Sequence, residues 1–271
     1  MKPLMEHRLP RFTRSILISA LVIGLYFLFS QFGLSLFRWA APIPEQSLRR
    51  LLASAFLYYG IWTVLVPLLA AMFVVGRRES LAALGLNASI WTALKVGLIS
   101  TAVLPLTYVL IAPFNLADIF YRVWGAAILP GIGEEILFRG MLFGLLFRFA
   151  GWGFLPAALL GALIFGAEHL HQGNTLGELV GVFGITAIGA VWWAWIYIEW
   201  DHNLWMPASF HVLMNLYFAL FDVAENALGG IAFIAVRAVV VVISIALTIQ
   251  HAKARGFYRI TPGDLIWRGQ T

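Results

Sequence analysis

Long apolar runs alternate with short polar connections along this chain, and runs of about 20 residues are what a helix needs to cross a bilayer. Eight such runs can be read off: 16–37, 51–75, 96–113, 124–149, 154–169, 176–198, 205–221 and 231–249. They predict an all-α fold, a polytopic transmembrane helical bundle of about eight spans, because helices satisfy every backbone polar group within the segment. The first run is long for the core of a signal peptide and ends in Leu36-Phe37-Arg38-Trp39 rather than small residues, so it reads as a retained anchor. Residues 77–93 begin with charge and carry Leu at helical spacing; they read equally as a short helix in the membrane interface or as a loop. With no repeat, low-complexity tract or soluble appendage, residues 1–271 read as a single integral-membrane domain.

Composition agrees: 61% of the residues are hydrophobic, 11% are charged and the mean hydropathy is +0.87. The lipid bilayer is therefore the first partner. The absence of cysteine excludes disulfides, a thiolate nucleophile, a cysteine zinc site and lipidation of the chain on sulfur. The net charge of +5 does not point to nucleic acid, since Lys and Arg sit at the termini and in short loops beside apolar runs. With simple alternation, one side holds Lys2, Arg8, Arg11, Arg14, Arg77, Arg78, Lys95, Arg148, Lys253, Arg255, Arg259 and Arg268, and the other Arg38, Arg49, Arg50 and Arg122. Twelve against four favours both termini on the cytoplasmic side of a cell membrane, and the compact chain reads as prokaryotic.

The candidate chemistry lies where polar residues interrupt the spans, because ionisable groups at that depth are costly and usually functional. In Gly131-Ile132-Gly133-Glu134-Glu135-Ile136-Leu137-Phe138-Arg139-Gly140, Glu135 and Arg139 are four residues apart and share a helix face, so they can neutralise each other. Glu134 is rotated by roughly 100° from Glu135 and is the acid left free for chemistry. Pro130, Gly131 and Gly133 are expected to weaken or break the helix and to leave Glu134 near a helix N-terminus. A purely structural charge cluster pinning two helices is the alternative.

Phe165-Gly166-Ala167-Glu168-His169 closes a span rich in Gly and Ala; His169 by itself is weak evidence, and Glu168 reads as a loop acid. His211 and Asn215 share one face of an apolar span, where their donors suit a developing oxyanion; interhelical hydrogen bonding explains them equally well. By simple alternation His169 sits near one end of its span and His211 nearer the opposite face, so their depths do not obviously meet. Arg237 lies within the last span, with Asp222 or Glu225 as its nearest candidate partners.

Together the motifs Glu134-Glu135-Ile136-Leu137-Phe138-Arg139, Phe165 to His169 and His211 to Asn215, in that order, resemble the CPBP intramembrane proteases. That family includes the CAAX prenyl proteases and the bacteriocin-processing or immunity (ABI) relatives. The resemblance covers about residues 131–217, and the first three spans and the last carry no signature. It implies an intramembrane endopeptidase of glutamic type in which Glu134 activates water, His169 holds or polarises it, and His211 and Asn215 form an oxyanion hole. Glu135, Arg139 and Phe165 would brace the site. A carboxylate held away from water, with fixed donors in a dry cavity, suits that chemistry. It implies a membrane-associated peptide or protein substrate, lipidated or not, and no cofactor.

Other chemistries are less well served. No His-Glu-x-x-His occurs, although Glu134, His169 and His211 could form an open zinc site. Ser209 lacks the Gly-x-Ser setting of a serine nucleophile, and an aspartyl-type pair would need a second deep acid, which the spans do not offer. The remaining alternative is a non-enzymatic membrane protein, an immunity-type binder or a transporter, although no inverted repeat is visible.

Overall fold

The computed structural model describes residues 10–40, 48–224 and 226–268; Lys2, Arg8 and Glu225 lie outside them. The described residues form helices and turns: α1 (Arg11–Ala40), α2 (Leu48–Val75), a short α3 (Ser80–Leu84), α4 (Ile90–Ile111), α5 (residues 119–149), α6 (Phe154–Glu168), α7 (Leu176–Glu199), α8 (Trp205–Leu220) and α9 (Ile231–Arg255). Six of these, α1, α2, α4, α6 extended by its last turn to Gln172, α7 and α9, are long and apolar enough to cross a membrane. The remaining two expected spans are α5, interrupted by Glu134, Glu135 and Arg139, and α8, only 16 residues long. Both carry candidate site residues. The stretch read as an interfacial helix or a loop is α3, a turn, and the start of α4, where Ser89 caps the helix by accepting the Thr92 amide at 3.2 Å.

Helix α5 is the axis of the bundle. Residues 135–147 are buried on every side, the signature of a helix with no solvent or lipid face. Its neighbours approach through specific contacts: α1 and α6 through Tyr26 and Phe165 against Phe138, and α7 through Tyr197 against Phe143. The outer helices turn large apolar side chains outward, among them Leu28, Leu110, Leu163, Ile188 and Val242, a surface that hydrocarbon would cover.

The expected break before Glu134 does not occur. Helix α5 runs unbroken through Pro130 and both glycines, with wide i→i+5 turns at Trp124–Ile128 and Ile136–Leu145. The first wide turn lies just where proline would crowd the preceding carbonyls, and such turns recur at functional sites. The glycines serve packing instead. A Cβ on Gly131 would lie 2.5 Å from Val212 Cγ2 and 2.8 Å from the Val212 nitrogen, and one on Gly133 would lie 2.7 Å from Tyr59 Cδ1. These two positions bring α8 and α2 against the backbone of α5.

Arg237 is held by neither Asp222 nor an acid within the span. It donates to the carbonyls of Ala227 and Leu228, and its Nε donates to Phe233 at 3.3 Å, capping the loop that precedes α9. Asp222 instead accepts from Asn115 at 2.5 Å and pairs with Arg122 at 2.6 Å, which in that order hold its carboxyl below the usual carboxylate range.

Candidate active site

Four elements meet beside Glu134. Helix α5 supplies Glu134, Glu135 and Arg139, α6 supplies Phe165 and Glu168 with His169 just past its end, α8 supplies His211, and α7 supplies Trp193. Glu135 is fully buried, and its Oε1 accepts from Arg139 Nη1 at 3.1 Å and from His211 Nδ1 at 2.8 Å. The acid thus links α5 to α8. The Arg139 guanidinium also lies 4.8 Å from the Phe165 ring and 5.0 Å from that of Trp193. A buried cation placed between a carboxylate and two π faces is neutralised without water.

Because His211 uses Nδ1 toward Glu135, its other nitrogen is free to face Glu134. The His211 Nε2 to Glu134 Oε2 distance is 4.0 Å, too long for a hydrogen bond and short enough for one small oxygen species to touch both. Trp193 stacks on the imidazole at 4.6 Å and fixes its plane. Glu134 Oε2, Glu135 Oε2 and Arg139 Nη2 are buried without a protein hydrogen-bond partner. These three atoms form one cluster of hydrogen-bonding capacity that ordered water or another polar group can satisfy.

His169 reaches the same level by folding back on its own helix. Its Nδ1 bonds the Phe165 carbonyl at 2.7 Å and its ring lies 4.4 Å from that of Phe165, which in turn is 6.4 Å from the His211 ring. With Nδ1–H donating, Nε2 is left as an acceptor. The expected mismatch in depth between the two histidines is thereby removed. Asn215 lies one turn beyond His211 on α8; its half-buried side chain has no hydrogen bond to another described residue.

Glu134 and His169 line a cavity of about 770 Å³ whose wall also carries Glu168, His171, Tyr58, Tyr59, Trp62 and Arg50. Sequence reasoning missed most of this wall. Glu168 is no loop acid: it ends α6, and its carboxylate accepts a hydrogen bond from Tyr26, a buried residue of α1. The cavity therefore does present a second carboxylate. The available signal was the tyrosines at 26, 58 and 59, whose hydroxyls need a polar partner wherever a span buries them. Among the described residues no group of three or more His, Cys, Asp or Glu side chains converges as a metal site would.

Residues 114–217 match the family model described as type II CAAX prenyl endopeptidase, Rce1-like, a stretch that contains all three motifs. No curated protein and no solved structure matches the chain.

Proposed function

From a chain that carries a type II CAAX prenyl endopeptidase Rce1-like region over residues 114–217, we propose an intramembrane endopeptidase in which Glu134 is the general base. The observation that carries the proposal is Glu134 Oε2, buried without a protein partner at a cavity wall and 4.0 Å from His211 Nε2. A water held there by Glu134 and His169 Nε2 gives its proton to Glu134 as its oxygen attacks the peptide carbonyl carbon. The resulting oxyanion takes hydrogen bonds from His211 Nε2–H and from the Asn215 carboxamide. His211 donates there in its imidazolium form, in which Glu134, Glu135, Arg139 and His211 sum to zero charge. Glu134 then returns the proton to the leaving nitrogen, the C–N bond breaks, and an acid and an amine are released. No covalent intermediate and no cofactor enter the scheme. The substrate is a membrane-associated peptide or protein segment, lipidated or not, that lies along the cavity.

The test is cleavage of lipidated and unlipidated fluorogenic peptides by detergent-purified protein, with and without a chelator. The proposal expects chelator-resistant cleavage that falls by about 10²–10³ in His211→Ala, the cost of a lost oxyanion donor. Cleavage that a chelator abolishes and zinc restores would contradict it.

A further inference from the structure

The two ends of the bundle are each tied together by loop-to-loop hydrogen bonds, which fixes which loops share an end. At one end the Asn115 amide donates to the Leu220 carbonyl at 2.8 Å, and the Ala227 amide donates to Gln172 Oε1 at 2.9 Å. At the other, Arg148 Nη1 donates to the Ala83 carbonyl at 2.6 Å, Asn203 Nδ2 to the Ser89 carbonyl at 3.0 Å, and the Gly153 amide to the Ile266 carbonyl at 3.2 Å. The cavity belongs to the first end. Its wall takes Arg50 and Ser54 from the start of α2, Tyr121 and Gly125 from the start of α5, and His171 and Gln172 from just past α6.

Charge is divided unequally between these ends. The far end carries Arg77, Arg78, Lys95, Lys253, Arg255 and Arg259, beside Arg11 and Arg14 at the start of α1 and Arg148 and Arg268. Among the described residues the cavity end contributes Arg38 at the end of α1, Arg49 and Arg50 at the start of α2, Arg122 at the start of α5 and Arg237 near the start of α9, five against ten. Basic residues in short loops remain on the cytoplasmic side during insertion.

We propose that the cavity opens to the side of the membrane opposite the cytoplasm. If the chain is the endopeptidase argued above, its substrate is then a membrane-anchored polypeptide whose scissile segment is presented from the outer leaflet or the outer face. A prenylated C-terminus anchored on the cytoplasmic leaflet would lie on the wrong side.

The chain contains no cysteine, so single cysteines report accessibility without background. Ser54→Cys lies in the cavity wall, Asn174→Cys on the exposed loop at its mouth, and Ala254→Cys at the exposed far end. Each is expressed in cells and treated with a membrane-impermeant thiol reagent before and after permeabilisation. The proposal expects full labelling of Asn174→Cys and Ser54→Cys in sealed cells, and of Ala254→Cys only after permeabilisation. Labelling of Ala254→Cys in sealed cells, or of Ser54→Cys only after permeabilisation, would overturn it. The readout needs no cleavage, so it stands or falls separately from the hydrolytic reading.

Discussion

At the scale of single residues, Glu134 and Glu135 differ by neighbourhood rather than by chemistry. One has both its hydrogen bonds on a single oxygen deep in the core, from Arg139 and His211, while the other turns an unpartnered oxygen toward the same histidine. That division was legible in the one-residue rotation between them. The second carboxylate, Glu168, was not, because nothing near it in sequence announces a hydrogen bond from Tyr26, 142 positions away. Its role can be separated from that of Glu134. Glu168→Gln keeps an oxygen for Tyr26, and cleavage of the peptide substrate should stay within about tenfold of wild type if Glu168 only positions the wall. Loss as severe as that in Glu134→Gln would instead indicate a pair of acids sharing the reaction.

At the scale of elements, the site depends on how closely α5 and α8 approach. Gly131 and Gly133 were misread as helix breakers because local propensity penalises glycine, whereas tertiary packing here demands it. The Cβ added by Gly131→Ala would meet the Val212 nitrogen at 2.8 Å and its Cα at 2.9 Å, backbone atoms that yield only if the helix moves. The expected cost is about 1–3 kcal/mol of stability, read as a lower thermal unfolding midpoint in detergent, together with reduced cleavage as His211 is displaced from Glu134. Gly161→Ala, whose Cβ would meet nothing within 4 Å, should change neither. Equal behaviour of the two variants would show that the close approach is not what positions the site.

At the scale of the whole molecule, the apolar runs announced a helical membrane bundle, and the order of three short motifs announced which parts of it converge. The cavity walls were not legible, since Tyr26, Tyr58 and Tyr59 come from spans without a signature and acquire meaning only when α1 and α2 pack around α5. The proposed reaction uses the Glu134 oxygen that has no protein partner and lies at the cavity wall. The most direct test of that claim compares peptide cleavage by wild type and Glu134→Gln, purified in detergent with their unfolding midpoints measured side by side. The account predicts a loss of about 10²–10⁴ in rate, the range for removing a general base, at an unchanged midpoint. Cleavage by Glu134→Gln at a rate near that of wild type would contradict it.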